Sequence, residues 1–260
     1  MKVHSAFDQP SRLPHGVGAW MSTRAGGHSV APWDSFNLGD HVGDAPEAVQ
    51  ANRQLLADTL RVRPVFLKQV HGTDVVELGV DTQDGTQADA CFTFAPGLAC
   101  TIMVADCLPV LLWDARGQWV AAAHAGWRGL AGQGGVGVLE SLWAALVARG
   151  ASSEQARVWL GPCIGPEAFE VGPEVPQAFG AADQPQVALA FKRGSADCWL
   201  ADLPALARWR LRQIGLTDVA GNDGSAPWCT VSRPTQFFSH RRDAVRLGST
   251  GRMAACIWRG

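Results

Sequence analysis

Three residues that lie far apart in the sequence, His71, Cys107 and His124, are of types that can bind one metal ion together. Each closes an apolar run: PVFLKQVH, TIMVADC and WVAAAH, respectively. Two imidazoles and one thiolate suit zinc, and three protein ligands leave a fourth position for water. Zinc lowers the pKa of such a water to about 7, so that hydroxide is available at neutral pH. Copper is the alternative ion, because His₂Cys sets also bind copper.

Taken one at a time, the same residues have an ordinary structural interpretation. A histidine at the end of a strand is usually a hydrogen-bonded structural residue, and a buried cysteine usually behaves as a small apolar side chain. The spacing matches neither an HExxH nor a CxxC motif. Residue types and spacing alone therefore leave open whether the three residues converge.

Short apolar runs between residues 63 and 125 predict the strands that position these three residues. Several of the runs lack polar alternation, so we expect strands that are buried on both faces. Other runs predict strands near residues 17–22, 156–160, 187–191, 228–231 and 252–258.

Three helices are predicted around these strands, over residues 46–61, 134–149 and 202–214. The first is expected to be capped by Asp44 or Ala45, with Pro46 in its first turn. The last is expected to begin at Asp202. Runs of strands with few helices indicate the α+β class. Since no linker interrupts the pattern, we expect a single domain over residues 1–260.

Composition restricts the partners and the compartment. The chain has 260 residues and a formal net charge of −2, without a run of Lys or Arg, so nucleic acid is not expected as a partner. The N-terminus has no apolar segment of the secretory type, and no apolar stretch is long enough to span a membrane. Seven cysteines without CxxC pairs indicate reduced thiols, six of them buried. We therefore expect a cytoplasmic protein.

Eight segments resemble one known family, in order from about residue 22 to 256: STRAGGHS, NLGDHVGD, KQVHGTDVV, ADCLPVLLWD, AAAHAGWRG, GPCIGPEAFEVG, FFSHRRD and TGRMA. This is the YfiH family, also called the multicopper polyphenol oxidoreductase or laccase-domain family. The resemblance implies that His71, Cys107 and His124 are metal ligands, and that mixed β-sheets with outer helices form α/β/β/α layers. It also implies purine nucleoside phosphorylase activity on adenosine, inosine and S-methyl-5′-thioadenosine, with adenosine deaminase activity besides.

Phosphorolysis requires a phosphate-binding cation, and arginine is the residue whose planar fork matches phosphate. The candidates are Arg241 and Arg242 in FFSHRRD and Arg24 in STRAGG. The alternative is that these arginines are solvated or pair with Asp243. His240 stands where the family frequently has tyrosine, so it adds a titratable group beside the arginine pair.

Two further polar residues are candidates for substrate binding. Asn37 in NLG is expected either to contact ribose or base or to form a turn. Gln69 lies two residues before His71 and is expected on the same face of one strand. Asp106 is expected to point the opposite way from Cys107 if the strand continues there.

Several functions remain as alternatives. A four-copper oxidase needs many imidazoles, and the seven histidines include no His-x-His pair, so one mononuclear centre is expected. A copper-dependent polyphenol oxidase is therefore ranked below nucleoside chemistry. A cysteine-dependent hydrolase, with Cys107 as nucleophile and His71 or His124 as base, would suit the editing of cell-wall (peptidoglycan) precursors. A non-enzymatic metal-binding or partner-binding protein is the last alternative. The physiological substrate, the metal and the oligomeric state are not determined by the sequence.

Overall fold

The computed structural model describes residues 13–195 and 197–260. Residues 1–12, on which the prediction about a secretory segment mainly depends, therefore lie outside the described residues. The strands are β1 Val17–Met21, β2 Arg63–Phe66, β3 Val75–Glu77, β4 Ala90–Thr93, β5 Leu98–Val104, β6 Leu108–Asp114, β7 Val120–Ala125, β8 Ala156–Leu160, β9 Glu170–Val171, β10 Phe191–Arg193, β11 Trp199–Ala201, β12 Val219–Gly221 and β13 Met253–Arg259. The helices are α1 Pro46–Leu60, α2 Trp127–Ala131, α3 Val138–Ala148, α4 Glu174–Ala178, α5 Pro185–Ala188, α6 Leu203–Gln213 and α7 Val245–Leu247.

Two large mixed sheets and one small sheet organise the chain. The first sheet has the order β1-β13-β5-β2, and the second has the order β12-β8-β6-β7-β4-β3. Each large sheet contains parallel pairs, β2 with β5 in the first and β3 with β4 and β8 with β12 in the second. The remaining pairs of both sheets are antiparallel. The small sheet has the order β10-β11-β9.

The two large sheets pack face to face, and helices cover their outer faces. The core between the sheets contains Ile102 of β5 and Leu111 of β6, and the core outside the second sheet contains Val110 of β6 with Leu142 of α3 and Leu206 of α6. Helix α1 covers the outer face of the first sheet. Every residue of β5 and β6 is buried, which explains their unbroken apolar runs. The predicted α+β class and α/β/β/α layering are confirmed.

Two of the helices follow the sequence signals closely. Helix α1 begins at Pro46 after the cap residue Ala45, and its buried face consists of Val49, Asn52, Leu56 and Leu60. The side chain of Asp202 accepts a hydrogen bond from the Ala205 backbone N–H and so caps α6.

Other boundaries differ from the prediction. Helix α3 begins at Val138, four residues later than expected, because Gly134 and Gly135 adopt positive φ angles that a helix excludes. The strand predicted over residues 187–191 is wrong: the apolar run is divided between the end of α5 and the first residue of β10. The strand predicted over residues 228–231 is also wrong, because a 3₁₀ turn, Ala226–Trp228, occupies its start. The short elements α2, β9, β11 and β12 were not predicted.

Five of the seven free cysteines are buried, whereas Cys107 and Cys198 are partly exposed. The expectation of six buried thiols was therefore one too high. None of the helices that the structure describes is long and apolar enough to cross a membrane.

Candidate functional site

His71, Cys107 and His124 converge in the folded chain. One ligand atom of each residue lies within 4.8 Å of the others. The Sγ of Cys107 lies 3.6 Å from Nε2 of His71, and the centroids of the two imidazole rings are 4.7 Å apart. His124 is buried, Cys107 is partly buried and His71 is exposed. Two imidazoles and a thiol at these separations could together hold one metal ion.

The three side chains come from three different parts of the two-sheet framework. His124 lies within β7 of the second sheet. Cys107 lies in the link that leads from β5 of the first sheet to β6 of the second. His71 lies five residues beyond the end of β2, in a left-handed conformation with φ of 60°. The prediction that all three close a strand therefore fits only His124, whereas the other two occupy tight connections.

Asp89 is a buried carboxylate that holds two of the three residues in place. Its Oδ1 lies 2.8 Å from Nδ1 of His124 and accepts a hydrogen bond from the His71 backbone N–H at 2.9 Å. Its Oδ2 accepts hydrogen bonds from the backbone N–H groups of Val70 and Gly72. Because Nδ1 of His124 is engaged, Nε2 is the ring nitrogen that is left to act as a ligand. Carboxylates that orient metal-binding histidines in this way are a common supporting element of zinc sites.

Two glycines allow the start of α2 to approach the cluster closely. A Cβ atom at Gly126 would lie 2.9 Å from Cδ2 of His71 and 3.0 Å from Sγ of Cys107. A Cβ atom at Gly129 in α2 would lie 2.7 Å from the carbonyl oxygen of Gly72. The start of α2 therefore packs directly against the cluster, and this approach requires residues without side chains.

The electrostatics of the cluster favour a thiolate. Burial by itself would raise the pKa of the Cys107 thiol, but the charge of His124 and hydrogen bonds with both imidazoles lower it to about 6. Burial would likewise lower the pKa of His124, but the charge of Cys107 and the hydrogen bond with Asp89 raise it to about 9. The thiolate is the form of cysteine that binds metals and attacks electrophiles.

The cluster opens into a cavity of about 420 Å³. Its lining includes the apolar side chains Trp127, Ile164, Phe169 and Leu203. It also includes polar and charged groups: His41, Gln69, Asp106, Arg128, His240, Arg241 and Arg252. An apolar lining with a few polar groups is the usual form of a small-molecule site.

Gln69 lines this cavity, but it does not share a strand with His71, because β2 ends at Phe66. Its side-chain amide donates to the carbonyl oxygen of Met103 and accepts from the backbone N–H of Met103. Gln69 therefore fastens the segment that precedes His71 to the end of β5.

Asp106 also lines the cavity, contrary to the expectation that it would point away. The strand does not continue past Val104, and Asp106 has a φ of 91°. Its carboxylate accepts hydrogen bonds from the hydroxyl of Thr230 and from the backbone N–H of Arg241. This contact joins the turn before Cys107 to the π-helical turn His240–Ala244.

The two neighbouring arginines have different roles. Arg241 lines the cavity, is exposed, and donates to the carbonyl oxygen of Glu170. Arg242 makes two hydrogen bonds to the carboxylate of Asp243 and also binds backbone carbonyl groups, including that of Thr230. It does not line the cavity, so its pairing with Asp243 is structural.

Two other candidates lie outside the cavity lining. Arg24 pairs with Asp34 and donates to the carbonyl oxygen of Pro234. Asn37 is fully buried, and its amide is bonded to Gly39, Asp44 and the Arg252 backbone. Of its two expected roles the structure shows the turn-forming one. Arg24, Asn37 and Arg242 do not line the cavity, and a role for them in substrate binding stays a prediction.

Five residues at the site were not predicted from the sequence: Asp89, Trp127, Arg128, His41 and Arg252. Asp89 carries a weak signal, since it is a charged residue at the start of the apolar run DACFTF. The others lie in segments that resemble the family, namely NLGDHVGD, AAAHAGWRG and TGRMA, but nothing in their spacing places them beside Cys107.

Known proteins that are similar to this chain match it over nearly its whole length. The family model described as multi-copper polyphenol oxidoreductase laccase matches residues 18–260. A purine nucleoside phosphorylase of Shigella flexneri named YfiH is 46% identical over 248 residues, which are 95% of each chain. A purine nucleoside phosphorylase of Pseudomonas aeruginosa is 46% identical over 94% of each chain. A crystal structure of a Neisseria meningitidis protein is similar with a TM-score of 0.85 and 39% identity, covering 99% of this chain and 98% of that one.

Proposed function

This chain belongs to the multi-copper polyphenol oxidoreductase laccase family, and we propose that it is a zinc-dependent purine nucleoside phosphorylase. Its proposed substrates are phosphate with adenosine, inosine or S-methyl-5′-thioadenosine. The observation that carries the proposal is the His71–Cys107–His124 cluster at the base of a cavity, in a chain whose relatives are named for this activity. We propose residues 1–260 as one domain, acting in the cytoplasm, since its seven cysteines are unpaired.

The cavity has the features that phosphorolysis needs. A phosphate oxygen forms a bond to C1′ of the ribose while the bond from C1′ to the purine nitrogen breaks. The purine leaves with the bonding electron pair and takes up a proton. Trp127 and Phe169 supply aromatic surface to the cavity lining, with the guanidinium groups of Arg128 and Arg241 over one face of each ring. A purine would pack against the aromatic surface that remains. The cavity volume also suits a nucleoside.

The donor set fits one metal ion. His71, Cys107 and His124 would hold it, and within the described residues this is the one cluster of three or more such donors. A bound zinc would supply Lewis-acid polarisation at the cavity base. Asp89 keeps Nε2 of His124 directed toward the cluster and fixes the turn that carries His71. A single cluster with one open position is also the reason to rank a copper-dependent polyphenol oxidase lower.

We propose adenosine deaminase as a second activity of the same site. In this reaction water replaces phosphate as the nucleophile and forms a bond to C6 of the purine instead of C1′ of the ribose. The bond from C6 to the exocyclic nitrogen breaks, and this nitrogen takes up a proton from the attacking water and leaves as ammonia. The two activities differ in their need for phosphate, which allows them to be measured separately.

A cysteine-dependent hydrolase is the second candidate, because one observation favours it. The Cys107 thiol lies 3.6 Å from Nε2 of His71 and has a pKa lowered to about 6, as a nucleophilic cysteine requires. Such an enzyme would remain active without metal, whereas the nucleoside phosphorylase would not.

The test combines metal analysis with nucleoside turnover. Purified protein is expected to contain about one zinc per chain and to release adenine or hypoxanthine only when phosphate is present. Cys107→Ala and His124→Ala are expected to lose both the metal and the activity, because each removes a ligand. Full nucleoside turnover after complete metal removal would reject the proposal, and peptidoglycan-precursor hydrolysis by the metal-free protein would favour the second candidate.

A further inference from the structure

Arg252 carries a positive charge into the cavity without a carboxylate partner. It lies directly before β13, is partly buried, and lines the cavity together with Cys107. Its Nη1 donates to the backbone carbonyl groups of Thr250 and Gly251. Within the described part of the chain it forms no ion pair with an Asp or Glu. A guanidinium in this setting is costly unless an anion binds beside it.

The other arginines near the cavity differ in this respect. Arg24 and Arg242 are ion-paired with Asp34 and Asp243. Arg128 and Arg241 line the cavity but are exposed to solvent, where an anion competes with water and is screened by salt. Among the described arginines that line the cavity, Arg252 is thus the one that is partly buried and has no ion pair with a carboxylate.

A dedicated contact positions Arg252. The Oδ1 of Asn37 accepts a hydrogen bond from the Arg252 backbone N–H at 2.8 Å, and the Leu38 backbone N–H donates to the Arg252 carbonyl oxygen. The Arg252 side chain then passes over Gly39, where an added Cβ would lie 2.7 Å from Cγ of Arg252. The segment NLG therefore contacts both the backbone and the side chain of Arg252.

Arg252 lines the same cavity as the three residues of the cluster, His71, Cys107 and His124. Asp106 also lines this cavity, but it forms no ion pair with Arg252. Asp106 is already engaged by Thr230 and the Arg241 backbone. His41 lines the cavity close by, and the charge of Arg252 acts on its imidazole.

We propose that Arg252 binds the inorganic phosphate that attacks C1′, with Asn37 and Gly39 as its positioning residues. This proposal rests on the proposed function and deepens it by naming the phosphate site. The guanidinium would donate from Nε and Nη2 to two phosphate oxygens, since these nitrogens are not used by the backbone contacts of Nη1. The phosphate would then share one cavity with the cluster, because Arg252 and the three cluster residues all line it.

The first test is phosphate binding without turnover. Inorganic phosphate is titrated into wild-type holoenzyme, Arg252→Gln, Arg252→Lys and the matched control Arg246→Gln, whose arginine is exposed on α7. Calorimetry gives the dissociation constant, and zinc content and melting temperature are recorded for each variant. Arg252→Gln is expected to weaken phosphate binding by about tenfold or more, because a charge-assisted contact is lost. Arg252→Lys is expected to recover part of the binding, and Arg246→Gln is expected to match wild type.

The second test is steady-state phosphorolysis of inosine. Arg252→Gln is expected to raise the KM for phosphate by about tenfold or more and to leave the KM for inosine within about twofold. Phosphate-independent formation of inosine from adenosine is expected to persist in this variant. Inosine 5′-monophosphate is included as a competitor. If it binds more tightly than phosphate and inosine together, and if its binding depends on Arg252, the site holds the phosphate group of a nucleotide. This result would overturn the proposal.

The outcomes separate the two proposals. If wild type binds phosphate through Arg252 but splits no nucleoside, the phosphate site stands and the proposed function fails. If Arg252→Gln, folded and with full zinc content, has the wild-type dissociation constant and KM for phosphate, the Arg252 proposal fails while the proposed function stands. A larger effect from Arg241→Gln than from Arg252→Gln would place the phosphate at the cavity mouth and also overturn the proposal.

Discussion

Asp89→Asn is the substitution that tests how the cluster is supported. The two side chains have the same size, so the core around this fully buried position stays packed. What changes is one oxygen, which becomes an NH₂ group. With the amide in one orientation the NH₂ group faces the backbone N–H groups of Val70 and Gly72, and in the other it faces the His71 N–H and Nδ1 of His124.

The second orientation costs less free energy, so it sets the expected change in stability. It leaves the partly buried backbone N–H of His71 unpaired, at a cost of up to about 1–3 kcal/mol of unfolding free energy. For a chain of this size that corresponds to a fall in melting temperature of roughly 2–12 °C. It also makes Nδ1 of His124 an acceptor, so the ring proton moves to Nε2 and blocks the nitrogen that would bind the metal. The expected loss of zinc affinity is about 10- to 100-fold.

Competition with a chromophoric zinc chelator measures the affinity, and thermal unfolding measures the stability. Asp84→Asn is the matched control, because Asp84 also accepts a backbone hydrogen bond, from Phe66, but does not touch the cluster. It is expected to leave zinc affinity unchanged. An Asp89→Asn protein with wild-type zinc affinity would show that Asp89 does not set the tautomer of His124 and would refute the reasoning.

Two further substitutions test the packing and the charges around the site. Gly126→Ala places a Cβ within 3.0 Å of His71 and Cys107 and is expected to reduce zinc affinity at least severalfold. The control is Gly79→Ala, which is expected to leave zinc affinity unchanged because no atom lies within 4 Å of the added Cβ. Equal zinc affinities of the two variants would contradict the close approach at Gly126. Burial would raise the pKa of Asp243, but the hydrogen bonds and charge of Arg242 hold it below its usual range. The resulting stability is present above about pH 4 and is lost as the pH falls further. The melting temperature of the wild type should therefore fall between pH 5 and pH 3 more steeply than that of Asp243→Asn. Parallel curves of melting temperature against pH would contradict the pairing of Asp243 with Arg242.

Local signals in the sequence were sufficient for some of the regular elements. The cap at Asp202 and the proline start of α1 each depend on a few adjacent residues, so they can be read directly. The run at residues 187–191 was misassigned because a short apolar run fits a buried strand as well as a helix end. Strand β12 was not predicted because it is short, and only three of its residues pair with β8.

The site was predictable only in part, for a physical reason. Residue types made His71, Cys107 and His124 candidates, and the family resemblance joined them. Their supporting contacts connect residues that are distant in the chain, such as Asn37 with Arg252. Contacts of this kind depend on the packing of the two sheets, and a single sequence carries no local pattern that reports it.

The placement of the cluster between the two sheets affects how mutational surveys of this protein should be interpreted. His124 belongs to one sheet, His71 follows a strand of the other, and Cys107 lies in the link between them. A shift of one sheet against the other, such as a truncation of Ile102 would cause, separates these side chains without touching any of them. A survey that records activity alone would therefore count interior packing positions as catalytic ones. Measuring the zinc content of every inactive variant would distinguish groups that react from groups that keep the two sheets in register.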